Sequence, residues 1–369
     1  MDSKIIAYYL PQFHETIENN QWWGKGYTEW RNAKNAKPLF RGHYQPREPY
    51  KDNYYDLLDV DVMRKQAQMA EKYGVYGFAF YHYWFGDERK MLEKPAENLL
   101  KSKDVNMRFC FAWANENWTR TWEGPGGEKE VLMNQKYGDE TDWKAHFDYL
   151  KDFFADERYI KKDGKPVLMI YRLDKIPCYK KMFDYWQELA IQAGLPGIYI
   201  IQMYYKEEQI RRGIDAYALY VPAVFWGIKR DNVRSEVIQY LQKKLAYKNI
   251  PFAIAQFLYD TYDYDKSYEY ILSRNYKKNE YMGAFTDFDN TARRGTRAAI
   301  WKGVSPKKFC YYLTKIIEKS SKENKEFVFI TAWNEWGEGN YLEPDKKYGF
   351  GYLKAIKIAC NKSKKGDAR

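Results

Sequence analysis

EFVFITAWNEWGEG, residues 326–339, opens as an apolar run rich in β-branched and aromatic residues and closes on polar, aromatic and glycine residues. A run that is apolar nearly throughout, rather than alternating, reads as a parallel strand covered on both faces. Seven further runs of this kind lie upstream, at 4–10, 75–81, 107–113, 166–171, 197–203, 214–220 and 281–287; the last spans 326–333. Helical stretches separate them. Residues 59–73 place Met63, Ala67 and Ala70 on one face and end at Gly74; others are read at 183–193, 306–320 and 351–360. Eight strands alternating with helices predict an α/β fold, a (β/α)8 barrel with extended βα loops. A doubly wound sheet would carry a glycine-rich turn after its first strand, where this chain has Pro11-Gln12-Phe13-His14. Residues 1–369 are read as one barrel domain with a Tyr-rich insertion around 221–280.

Composition narrows the class. The 36 Tyr, 20 Phe and 13 Trp exceed what a core needs, and many stand beside polar loop residues. Flat rings with a polar tip suit the mixed surface of a sugar. The net charge of +11 is spread along the chain without a nucleic-acid motif, so no nucleic-acid partner is expected; an anionic polysaccharide or a phosphate-bearing lipid carrier suits it as well as simple solubility does. The four cysteines form no CxxC pair, and the four histidines lack metal-ligand spacing, so neither a metal nor another cofactor is expected. Three Asp-x-Asp pairs occur; that at 59–61 reads as a helix cap, and that at 287–289 faces the proposed site. The N-terminus lacks the apolar run of a secretory signal, and no stretch approaches a membrane span, so a reduced, cytoplasmic protein is expected.

Barrel enzymes carry their chemistry at the C-terminal ends of the strands. The residues found there, strand by strand, are candidates for substrate binding. The first strand offers Tyr8, His14 and Trp23, the second His82, Tyr83 and Trp84, the third Asn115, Glu116 and Trp118. Arg172 follows the fourth strand and Gln202 lies in the fifth; Asp289, Asn290 and Arg293 follow the seventh, and Asn334 and Trp336 the eighth. Asp289 is expected to bind sugar hydroxyls and Arg293 to meet an acidic group. The reacting pair is read as Glu335 and Glu338. Three apart, they become neighbours on a turn, with Cβ atoms about 5–6 Å apart, and Gly337 and Gly339 permit that turn. Two carboxylates so placed fit general acid and base work at one glycosidic bond, mutual repulsion and flanking rings raising one pKa.

The segments AYYLPQFH (7–14), WWGKGYTEW (22–30), GFAFYHYWF (77–85), FAWANENWTRTWEG (111–124), DNTARRG (289–295) and TAWNEWGEG with YLEP (331–344) together resemble the WbsX-like family of polysaccharide-biosynthesis glycosyltransferases, over nearly the whole chain. More distantly, the last segment is similar to glycoside hydrolase family 99, the endo-α-mannosidases, which also carries a Glu-x-x-Glu pair after its eighth strand. That resemblance implies a mechanism. Glu335 would be the base on the sugar's own 2-hydroxyl, which attacks C1 to give a 1,2-anhydro sugar, and Glu338 the acid on the leaving oxygen, with net retention. For the glutamates family 99 places after its third strand, Glu116 is the only candidate here, in a different local motif. Three functions are therefore weighed: a retaining hydrolase or transglycosylase acting on a bacterial-type surface polysaccharide, free or lipid-linked; a glycosyltransferase building O-antigen or capsule; and a catalytically idle carbohydrate-binding barrel.

Overall fold

The structure, a computed structural model, describes residues 3–121, 129–226 and 236–366. Eight parallel strands close into a barrel: β1 (Lys4–Tyr9), β2 (Gly77–Trp84), β3 (Phe109–Trp113), β4 (Lys165–Ile170), β5 (Tyr199–Tyr204), β6 (Ala216–Leu219), β7 (Glu280–Phe285) and β8 (Phe327–Thr331). Each pairs with its sequence neighbours, and β1 closes the ring by pairing with β8 (Lys4 with Phe327) and β2 (Ile6 with Gly77). The strands are buried along nearly their whole length because the barrel interior covers one face and the helices the other. All eight runs read from the sequence are barrel strands, their ends displaced by up to a few residues.

The helices in chain order are α1 (Ile17–Trp23), α2 (Glu29–Asn35), α3 (Val60–Tyr73), α4 (Lys94–Lys101), α5 (Glu140–Phe154), α6 (Tyr179–Gln192), α7 (Glu236–Leu245), α8 (Phe252–Leu258), α9 (Tyr264–Ser273), α10 (Thr291–Arg294), α11 (Pro306–Lys322) and α12 (Gly351–Gly366). Asp59 caps α3 by accepting from the Asp61 amide at 2.9 Å, and Gly74 ends it in the left-handed region at φ 90°. The β5–β6 connection departs from the expected alternation: its described helix is one 3-10 turn, Glu207–Gln209. Among the described residues the Tyr-rich stretch holds three α-helices, α7, α8 and α9, and β6 leads into it. Ala255 and Leu258 of α8 pack on Leu39, Phe40 and Ile300 in a small core separate from the barrel's. Loops after β1, β7 and β8 thereby converge over one end of the barrel.

Candidate active site

The turn after β8 gathers the carboxylates. Asn334–Glu335 pairs antiparallel with Asn340–Tyr341, and the turn between them is a single 3-10 turn, Trp336–Glu338, closed by Gly339 at φ 62°. The Asn334 side chain fixes this hairpin to the end of β1. Its carbonyl accepts from the Leu10 amide at 2.7 Å, and its amide donates to the Leu10 carbonyl at 2.9 Å. The Asp289 amide donates to the Glu338 carbonyl at 2.7 Å from the β7 side. Beneath the turn, Glu343 accepts from both Trp333 and Trp336 indoles and from Tyr55 and Gln66.

One guanidinium organises the acids. Arg293, at the end of the β7 loop, donates from Nε to Glu29 Oε1 at 2.7 Å and from Nη2 to Glu335 Oε2 at 2.8 Å. Its Nη1 lies 2.9 Å from Glu338 Oε1. Two C–N bonds of about 1.33 Å separate Nη1 from Nη2 by about 2.3 Å. The bonded oxygens of Glu335 and Glu338 are therefore no more than about 8 Å apart, inside the span of paired glycosidase carboxyls. Glu29 and Glu335 side chains are 2% and 7% exposed and Glu338 is 20% exposed, so Glu338 is the acid open to the cleft.

Three carboxylates on one cation leave excess negative charge in a largely buried cluster that opens to the cleft at Glu338. Burial pushes Glu335 up to about 8, opposed by Arg293 and reinforced by Glu338. Glu338 is raised as well, again first by burial, with Glu29 adding to it and Arg293 opposing. Sharing Arg293, the two titrate as a pair. A pair whose carboxyls are pushed upward in this way suits chemistry in which one group donates a proton while the other accepts one.

Gly337 makes this convergence possible. A Cβ there would stand 1.8 Å from Glu29 Oε1 and 2.8 Å from Arg293 Nε. Gly337→Ala is expected to expel Glu29 from the cluster, costing about 1–3 kcal/mol of stability and about 100-fold in kcat. Urea unfolding and single-turnover rates measure the two effects separately.

A cleft of about 370 Å³ opens over the cluster, lined among others by Trp23, Tyr27, Trp118, Trp226, Asn290, Arg293 and Glu338. Trp118 meets the Tyr83 ring edge-on at 5.1 Å. Within the barrel mouth, Tyr8 stacks on Tyr81 at 5.9 Å, and the Tyr81 and Tyr220 hydroxyls lie 2.8 Å apart. Glu116 and Arg172 form a 2.5 Å ion pair, with Asp174 holding the other edge of the guanidinium.

Several residues expected to line the site do not face it. His82 and Trp84 lie in β2 and point outward, because strand side chains alternate and Tyr81 and Tyr83 take the inner face. His82 Nε2 pairs with His146 Nε2 at 2.8 Å, Trp84 stacks on His146 at 4.4 Å, and burial pushes the His82 imidazole down to about 3. Gln202 is fully buried; its amide donates to the Gln209 carbonyl and its oxygen accepts from the Arg211 amide, bracing the β5–β6 connection. Asn115 bridges to the Arg172 backbone, and His14 bonds the Pro11 carbonyl at 2.9 Å. Trp336 is buried against Tyr341 at 3.8 Å. Asn334 is the hairpin anchor described above.

Asp289 does not serve sugar hydroxyls. Its oxygens are taken by His43 at 2.7 Å, Gln45 at 2.9 Å and Thr291 at 2.5 Å, with Arg47 at 3.5 Å. Burial alone would raise its pKa; pairing with His43 and Arg47 holds it below the ordinary carboxylate range. Arg293 meets the protein's own acids rather than an external one. The remaining Asp-x-Asp pair is also structural: Asp263 caps α9 and Asp265 pairs with Lys308. Among the described residues no group of three or more His, Cys, Asp or Glu could hold a metal.

Not among the expected site residues are Tyr27, Glu29, Tyr81, Tyr220 and Trp226. Tyr81 and Tyr220 could have been found from strand parity. Nothing local in Thr28-Glu29-Trp30 signals that Glu29 reaches the turn after β8, across the barrel mouth.

The molecule is a closed parallel (β/α)8 barrel with carboxylates gathered at the C-terminal ends of its strands. The fold is similar to that of the GH99 endo-alpha-mannosidase from Bacteroides thetaiotaomicron, with TM-score 0.58, 16% identity and all of both chains covered. It is also similar to a structure described as a glycoside hydrolase-like protein, with TM-score 0.57, 13% identity, and 97% of this chain and 94% of that chain covered. At these identities the likeness is one of fold. The chain belongs to the family described as Glycosyltransferase WbsX, which it matches over residues 5–356. It is 30% identical over 368 residues to the uncharacterized protein WxcX of Xanthomonas campestris pv. campestris, covering 98% of this chain. The chain spans about half the length of that relative, 50%.

Proposed function

We propose that the protein cleaves or transfers a glycosidic bond of a bacterial-type surface polysaccharide with retention, using Glu335 and Glu338. The observation that supports this reading is the shared Arg293, which holds both carboxylates at one bond's reach while burial raises both above the ordinary carboxyl range.

In the first step Glu335 takes the proton of the sugar's 2-hydroxyl as O2 attacks C1. The C1–O bond to the leaving group breaks, and Glu338 gives its proton to the departing oxygen. In the second step Glu338 takes a proton from water or an acceptor hydroxyl as that oxygen attacks C1. The C1–O2 bond opens and Glu335 returns its proton to O2. Two inversions at C1 give retention. A raised pKa suits Glu335 for this task, since a stronger base is better matched to an alcohol proton. The reacting form is the one in which Glu338 holds the pair's proton and Glu335 is ionised against Arg293.

Both steps need one proton on the pair. kcat/KM is therefore expected to fall as pH rises through about 8, where the pair loses it. It should fall again on the acid side, above the ordinary carboxyl range, as the second carboxyl gains a proton. A profile flat from pH 5 to pH 9 counts against a coupled pair.

A second reading is favoured by the family's description, a glycosyltransferase, here building O-antigen or capsule. Incubating the source glycan and its lipid-linked precursor with and without a nucleotide-sugar pool separates the two by mass spectrometry. Shortened or rearranged chains without the pool support the first reading. Extension that requires the pool supports the second.

A further inference from the structure

Helix α8 is apolar on two sides, and α7 carries exposed apolar groups flanking its packed ones. Their inner side is accounted for: Leu241, Leu245, Phe252, Ala255 and Leu258 pack in the small core with Leu39, Phe40 and Ile300. The outer side is not. Val237, Tyr240, Ile254 and Phe257 are 65%, 60%, 46% and 77% exposed. Val237, Tyr240 and Lys244 recur at the spacing of one helical stripe, and Ala253, Ile254 and Phe257 form the corresponding stripe of α8. Helices that present apolar groups on opposite sides are covered on both in the working molecule.

The charge beside this face says what covers it. Lys244 lies in the α7 stripe and Lys248 just beyond it; both are exposed, and neither has an acidic partner among the described residues. The surface continues into a second cleft of about 350 Å³ whose rim carries Arg41, Lys302 and Lys347, also without acidic partners among the described residues. Lys302 Nζ stands 5.8 Å from the Phe252 ring at the packed edge of α8, and Lys347 Nζ 4.5 Å from the Tyr44 ring, so further cations border the face. The chain as a whole carries +11. Aromatic and aliphatic side chains edged by unpaired lysines are the pattern of a helix lying in a membrane interface, rings at the acyl boundary and ammonium groups among lipid phosphates. A protein partner of matching apolar shape would not by itself call for cations on and beside the face that have no acidic partner among the described residues.

We propose that the α7–α8 face and its cationic rim seat the protein on an anionic phospholipid surface. Because α8 packs on the loops after β1 and β7, which also line the cleft, the docking face and the cleft belong to the same end of the barrel. The docking itself rests on this surface alone and stands or falls separately from the chemistry of Glu335 and Glu338.

Flotation with vesicles of phosphatidylcholine, with and without phosphatidylglycerol, tests it on the whole chain. The protein is expected to float with the anionic vesicles and to be released by salt. The triple variant Tyr240→Ser, Ile254→Ser, Phe257→Ser should bind about 100-fold more weakly. Lys244→Glu with Lys248→Glu should lose about tenfold or more. All five positions are exposed, so thermal unfolding should match the wild type and shows that binding, not folding, has changed. Failure of the wild-type protein to float with anionic vesicles overturns the proposal, as does undiminished flotation of folded variants. A concentration-dependent dimer in sedimentation velocity that the triple variant abolishes, with no flotation, would assign the face to a second copy of the chain instead.

Discussion

Glu338→Gln is expected to lose at least about 10³-fold in kcat on natural glycan while binding it as the wild type does. The amide keeps the size and most of the hydrogen bonding of the carboxyl but has no proton to give the leaving oxygen. If Glu338 is the acid, a sugar bearing a leaving group that departs as a stable phenolate needs no such proton. On that substrate Glu338→Gln should come within about tenfold of the wild type in the first step. Glu335→Gln should not, because the base is still required whatever leaves. The pair of variants on the pair of substrates thus separates the two roles. Equal rescue of both variants would mean the roles are assigned wrongly, and full activity of either on natural glycan would remove that residue from the chemistry.

Arg293→Met is expected to be the most damaging single change to the fold at this end of the barrel. The thioether fills much the same space, but Glu29, Glu335 and Glu338 then face one another without their cation. Removing one partner of buried ions typically costs about 3–5 kcal/mol. The pH dependence carries a definite sign. Glu335 is already raised above its unfolded value, so it binds more protons folded than unfolded. Its stabilising share is complete below the ordinary carboxyl pKa and is lost as pH rises through about 8. Without Arg293 the carboxyls rise further, so the deficit in urea unfolding should be small near pH 5 and grow toward pH 9. Arg293→Lys should recover part of the stability and little of the activity, since an ammonium cannot hold three acids in one planar fork. A deficit that does not change with pH would mean the loss is one of packing.

The barrel was legible because its strands are covered on both faces and therefore apolar almost throughout, a pattern that survives errors of a few residues at each end. The site was legible only where the chain bends back locally. Glu335 and Glu338 are three apart on one turn, and Gly337 and Gly339 mark it. Strand ends were less forgiving. Reading the second strand as ending at Tyr81 puts His82 and Trp84 in a loop at the barrel mouth. The strand in fact runs to Trp84, and alternation turns both outward onto α5. Asp289 illustrates the other limit. A carboxylate at the end of a strand looks available in sequence, but His43, Gln45 and Arg47 arrive from a loop more than 200 positions away, separations of 246, 244 and 242. Glu29 reaches Arg293 across a separation of 264, and no local pattern announces it.

The retaining reaction of Glu335 and Glu338 is tested most directly by proton NMR of the anomer first released when the protein acts on its glycan, followed before mutarotation. The predicted result is a product with the anomeric configuration of the bond that was cleaved, and no product from Glu335→Gln. First appearance of the opposite anomer, or the same product from Glu335→Gln at the wild-type rate, would contradict it.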